Sequence, residues 1–331
     1  MKRVMTILAL TVAMTGCLKE NGLLQEASEP GRQPADSVWT LTLRAEKEIP
    51  GLAGDDGTAG TKGLAISAGG EENTTVLQSI WKDGEKVEVY RDGTHIGTLT
   101  ATPDGSDAHR ATLSGTVTTT GITPGNTQLT LLTPRKTWDY TGQAGFLLRQ
   151  NDLNNFGEHN RSIENNYHYT MAENVLVTDA TVDGEGNGTL TMAPLVTFRN
   201  QQSIYRLSFR FQMNGTGPVY AITAKRVAIT AAGGGLVKTE ALNGPATTGA
   251  ISVILDTATP DPFFVSIRNQ NTTDAEALSF QVVDNEGITY YGSKTIPAAY
   301  KANGTFVSIK NATLTSRLEL EQGSTSVNTA L

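Results

Sequence analysis

Lys86-Val87-Glu88-Val89-Tyr90-Arg91-Asp92-Gly93-Thr94-His95-Ile96-Gly97-Thr98-Leu99-Thr100 is the stretch that decides the fold. Lys86 to Tyr90 alternates polar and apolar residues, the period of a half-buried strand rather than a helix. Asp92-Gly93 is a two-residue hairpin turn signal, because Asp and Gly tolerate the backbone such a turn needs. Ile96 to Thr100 returns as the second strand.

The same pattern repeats outward in both directions. Upstream, Val38 to Arg44 is a strand with Trp39, Leu41 and Leu43 on one face and Thr40 and Thr42 on the other. The Gly-rich run Gly51 to Gly63 cuts it off from the rest, in a loop a protease could enter. Downstream, strands are expected at Ala111 to Thr119, Gln128 to Thr133, Tyr167 to Thr170, Val175 to Thr181 and Thr189 to Met192, with an Asn-rich surface loop at Asn151 to Asn166. Beyond Pro194 come Ile204 to Phe211, Tyr220 to Thr223, Arg226 to Thr230, Ala250 to Asp256, Phe263 to Ile267, Leu278 to Val283, Thr289 to Tyr291 and Thr305 to Lys310. Ser316 to Glu321, with Leu318 and Leu320 in phase, is one more possible strand. No segment holds a helical period, and Ala298 to Lys301 offers at most one helical turn. Short strands at this spacing predict an all-β chain of two tandem β-sandwiches, residues 38–194 and 195–331.

Composition agrees. The chain has 331 residues, enough for about two domains. Its 34 Gly and 12 Pro beside many Thr, Val and Ile favour strands and turns. The net charge of −7, with no long Lys/Arg run, argues against nucleic-acid binding, which needs clustered cations. A single cysteine rules out an internal disulfide framework and thiolate metal sites.

That cysteine is informative. Lys2 and Arg3 precede the short apolar run Val4 to Ala13, and Met14-Thr15-Gly16-Cys17 follows. A basic start, a short apolar stretch and small residues are a secretory signal. The ending resembles a bacterial lipobox, which implies removal of residues 1–16 and acylation of Cys17. Several acyl chains on one residue make a stable anchor. Residues 17–37 are a polar, flexible tether, and the mature protein is an exported domain held to a membrane.

Candidate chemistry is sparse. His95, His109, His159 and His168 lack metal-ligand spacing and are taken as surface residues. Nucleophile elbows, P-loops and dinucleotide fingerprints are absent from the sequence. Asp183-Gly184-Glu185-Gly186-Asn187-Gly188 resembles half of a calcium loop, but Pro194 stands where the closing Glu is needed, so a hairpin turn is expected. Asp55-Asp56 and Glu71-Glu72 fall in solvated loops. No catalytic residue, metal or cofactor is assigned.

A series of segments carries a family likeness: Trp81 to Tyr90, Gly97 to Ala101, Leu113 to Thr116, Leu129 to Arg135, Trp138 to Gly145 and Phe198 to Ile204. In this order they resemble the fimbrillin-like family of Bacteroidales lipoproteins, the type V pilins and their relatives. The resemblance spans roughly Val38 to Ile309. It implies two transthyretin-like β-sandwiches, an outer-membrane lipoprotein precursor, other fimbrial subunits as partners, a host or bacterial surface ligand, and assembly by strand exchange. Val38 to Arg44 (Val38, Trp39, Leu41, Leu43) then matches the removable strand, or else remains an edge strand. Cleavage could follow Arg44 or Lys62, and Leu318 and Leu320 mark the donor strand. Two other functions stay open: a carbohydrate-binding surface lipoprotein that stacks sugars on Trp138 and Tyr140, and a hydrolase.

Overall fold

The computed structural model describes residues 37–48, 52–54, 79–144, 146–147, 167–184, 187–212, 217–270, 273–298, 301, 304 and 306–316. Cys17, Lys62, His159, the Asn151–Asn166 loop, Leu318 and Leu320 lie outside them. Every regular element among the described residues is a strand, so the chain is all-β as expected.

The first half contributes β1 (Ser37–Lys47), β2 (Leu52–Gly54), β3 (Lys86–Arg91), β4 (Thr94–Asp104), β5 (Asp107–Thr119), β6 (Gln128–Thr133), β7 (Thr137–Asp139), β8 (Gln143–Ala144), β9 (Phe146–Leu147), β10 (Thr170–Val182), β11 (Gly188–Met192) and β12 (Val196–Asn200). The second half contributes β13 (Ser203–Gln212), β14 (Val219–Ala221), β15 (Ala224–Ala231), β16 (Val237–Ala241), β17 (Thr247–Thr248), β18 (Ile251–Thr259), β19 (Phe263–Ile267), β20 (Glu276–Asp284), β21 (Thr289–Ile296) and β22 (Phe306–Ser316).

The β3–β4 hairpin closes through Asp92 and Gly93, at φ 50° and 78°, with Arg91 opposite Thr94. Two successive positive φ angles twist the turn in the same sense as its flanking strands. From this hairpin the sheet runs β5, β4, β3, β6, β10. It then continues through β11 and β12 to β1, which pairs back onto β5. The sheet thus closes into a ring. Its inward residues form one apolar core, with Trp39, Trp81, Leu99, Leu131, Val177 and Phe198 among them.

β10 is one strand where two were expected. A register shift between Ala172 and Val175 brackets Asn174, whose φ is 55°. The irregularity breaks the alternation and hides the continuity of the strand. The ring's pairing also runs past Pro194: β12 joins both β10 and β1, so these strands continue to Asn200.

A second core gathers around Tyr205, Leu207, Phe209, Phe263 and Phe280. Its sheet runs β8-β18-β15-β20-β21-β22-β13-β19-β9, with β14 on β13 and β2 on β22. β7, β8 and β9 belong to the first half by sequence but pair with β16, β18 and β19. Residues 137–147 therefore stitch the two halves together. The sequence shows no trace of this, because each of these strands is only two or three residues long. Lys301 N donates to the Ala298 carbonyl at 3.0 Å.

Candidate functional site: the slot of the first strand

β1 alternates strictly, burying Ser37, Trp39, Leu41, Leu43, Ala45 and Lys47 and turning the residues between them outward. The sequence reading of its inward face holds, and the strand runs on to Lys47. The expectation of an edge strand does not hold. β1 pairs antiparallel with β5 from Ser37↔Thr119 to Glu46↔Arg110. On its other side it pairs parallel with β11 at Trp39–Leu41 and with β12 at Ala45–Lys47. Residues some 150 positions further on supply this second edge, and periodicity reports a buried face without naming neighbours.

The slot is a row of distinct pockets. Trp39 donates its indole Nε1–H to the Thr119 carbonyl at 3.2 Å. Its ring lies against the backbone of Gly188, where an added Cβ would sit 2.3 Å from Trp39 Cε3. Only glycine permits this approach. Gly188→Ala is expected to push the indole off its seat and cost about 1–3 kcal/mol, as overpacking does; a fall in the denaturant midpoint with unchanged slope checks it.

Leu41 and Leu43 fill the middle, and Ala45, fully buried, faces Ala111 on one side and Val196 on the other. At the far end Lys47 is buried, with Nζ at 2.7 and 2.8 Å from the two carboxylate oxygens of Glu85 and 3.0 Å from the Ile80 carbonyl. The ammonium also lies 4.3 Å from the centroid of the Trp81 ring, which packs edge-on to Phe198 at 5.0 Å. The slot thus accepts an indole at one end and a cation at the other.

Arg44, expected as one processing position, is mid-strand. Its side chain points outward to Asp104 at 2.5 Å, while the next residue, Ala45, is buried. A protease needs several residues in extended, free form, so the Arg44–Ala45 bond is closed to it while β1 is in place.

Beneath the end of β1, His168 is buried, whereas the sequence reading had it on the surface. Its Nε2 lies 2.8 Å from Asn200 Oδ1 and 3.4 Å from Ser79 Oγ. The trio has the composition of a hydrolytic site but not its geometry. One nitrogen faces both partners, so it cannot take the Ser79 proton while donating to Asn200, and all three side chains are buried. Burial, with Lys47 nearby, lowers the His168 pKa to about 4. The neutral ring is the folded form. Stability is therefore complete above the unfolded value of about 6.5 and is lost as pH falls toward 4, by roughly 3 kcal/mol. His168→Gln is expected to flatten this acid limb, measured as denaturant midpoint against pH.

Trp138 and Tyr140, expected as glycan contacts, are buried. They pack on Tyr169 at centroid distances of 6.1 and 5.4 Å, and the Arg268 guanidinium covers Trp138 at 4.9 Å. No ring face is left for a sugar. Asp183 and Asn187 bond to each other rather than to an ion, with Asp183 N donating to the Asn187 carbonyl at 3.0 Å and Asn187 N donating to Asp183 Oδ1 at 2.8 Å. His95 pairs with Glu88, and His109 Nδ1 lies 2.9 Å from the Ser79 carbonyl. Among the described residues no group of three His, Cys, Asp or Glu could hold a metal.

Lys47, Glu85 and Gly188 were missed in the sequence. Extending the alternation of Trp39, Leu41 and Leu43 by two steps would have put Lys47 on the inward row. Gly188 carries no signal beyond that of a turn glycine.

No family model matches the chain, and no curated protein matches it. Among solved structures it is similar to a fimbrial assembly protein from Parabacteroides distasonis, at 11% identity and TM-score 0.35, covering 82% of this chain and 90% of that one. It is also similar to a proposed cell adhesion protein from Bacteroides uniformis, at 13% identity and TM-score 0.37, covering 72% of this chain and 92% of that one. At these values the likeness assigns this chain no function.

Proposed function

We propose that the chain is a structural subunit of an adhesive surface fibre, exported and anchored as a precursor through Cys17 in the outer membrane. Its first strand is cut away, together with β2 on β22, and a strand from another subunit takes the slot of β1. The observation that carries this reading is the seating of β1: the first strand of the described residues, bonded along both edges, in a row of side-chain pockets. Its departure exposes two facing rows of backbone N–H and C=O groups beside an apolar groove. An incoming strand restores both the hydrogen bonds and the burial, which is β-augmentation.

The cut belongs after Lys62, outside the described residues, and not after Arg44. A break at Arg44 would leave Ala45 to Lys47 plugging the cation end. The carbohydrate-binding alternative loses its residues, since Trp138 and Tyr140 are interior. N-terminal sequencing of the surface-exposed form tests the proposal. It predicts a start at Gly63; a blocked, acylated Cys17 in the assembled form would overturn it.

A further inference from the structure

We infer that the slot selects its occupant by its two ends, and that residues 317–331 of a second copy of this chain do not meet its requirements. The inference rests on the strand-exchange reading and names its partner.

The inward row of β1 sets five requirements at alternate positions: Trp39, Leu41, Leu43, Ala45 and Lys47. The middle pair asks only for branched aliphatic side chains, which many strands supply. The ends and the Ala45 position are restrictive. Gly188 leaves a recess the thickness of an indole, with the Thr119 carbonyl placed to accept its N–H. A smaller residue there strands that carbonyl and leaves the Gly188 backbone uncovered. Ala45 is fully buried, so a larger side chain there has to displace its core neighbours. At the last position, Glu85, the Ile80 carbonyl and the Trp81 face converge on one cation. A neutral occupant leaves Glu85 half-enclosed without its counter-charge, and an acidic one sets like charges together.

The chain beyond β22 does not meet these requirements. Seating Leu318 and Leu320 in the Leu41 and Leu43 pockets puts Ser316 on the indole recess, Gln322 at the small position and Ser324 before Glu85. Residues 317–331 contain no aromatic residue at all. In the other phase the stretch presents Arg317, Glu319 and Glu321 inward. The fitting partner is an extended segment with the order aromatic, aliphatic, aliphatic, small, cation at every second residue, the order that β1 itself carries.

Peptide capture tests this. The full chain, nicked once at a protease sequence inserted after Lys62, is incubated with biotinylated peptides and the captured protein is quantified. The peptides have the sequences of residues 37–48, the same with Trp39→Ala, the same with Lys47→Glu, and residues 314–325. The first is expected to be captured, and the other three at least about tenfold less. A Glu85→Lys protein is expected to reverse the order and prefer the Lys47→Glu peptide, which a merely structural role would not produce. Equal capture of the 314–325 and 37–48 peptides would overturn the inference while leaving strand exchange standing. If no peptide enters the folded, nicked protein, the 37–48 sequence included, exchange itself falls and the selection with it.

Discussion

Trp39→Ala is expected to lower the stability of the first ring by about 3–5 kcal/mol, the range for emptying a core aromatic site. The indole is part of the apolar core of the ring and lies directly against the Gly188 backbone. A glycine has no side chain to relax into the space, so the cavity stays open and the upper part of the range applies. The lost bond from Nε1 to the Thr119 carbonyl adds to the deficit. Guanidinium unfolding followed through Trp81, which reports on the same core, measures it. Coupling gives a sharper check. Gly188→Ala destabilises only because the indole is there, so in a Trp39→Ala background it should be close to neutral. A Gly188→Ala cost that survives removal of the indole would contradict the recess.

Glu85→Ala is expected to cost a similar amount, about 3–5 kcal/mol, because it leaves the buried Lys47 ammonium without its carboxylate. The Ile80 carbonyl and the Trp81 ring remain, but neither neutralises a charge. Lys47→Met also breaks the pair, but it keeps the aliphatic stem and strands Glu85, whose side chain is 20% exposed against 2% for Lys47, so it should be milder. The double variant, Glu85→Ala with Lys47→Met, should recover most of what the single Glu85 change loses. Chemical denaturation of the four proteins at one pH closes the cycle. A Glu85→Ala cost that Lys47→Met does not reduce would show that Glu85 acts through Thr133 Oγ1 and the Lys82 N–H, which donate to it at 3.2 Å each, and not through the cation.

How much of this was legible in the sequence follows from the range of each interaction. Alternation is local, and it correctly gave the inward face of β1, the β3–β4 hairpin with its Asp92-Gly93 turn, and a strand at Ile204 to Phe211. Neighbours are not local. That β1 lies between β5 and the β11–β12 pair depends on residues far along the chain, and alternation looks the same at an edge as in the interior. The strands of residues 137–147 are too short to show a period, so their crossing into the second half was invisible. Burial of polar residues misled in the same way. His168 and Lys47 carry the composition of surface residues, and their partners, Asn200 and Glu85, lie 32 and 38 positions away. Trp138 and Tyr140 sit in a stretch that reads as a loop, whereas Tyr169, 30 positions on, and Arg268 enclose them.

The central claim is that β1 is replaceable, leaving the rest of the ring folded. The most direct measurement is the fate of residues 37–62 after a single cut behind Lys62. The nicked protein is held with an excess of the residue 37–48 peptide, and the bound fraction is followed by size exclusion and intact mass. The account predicts that the native segment appears free while the added peptide takes its place in a still-folded protein. A native segment that never leaves short of global unfolding would contradict it.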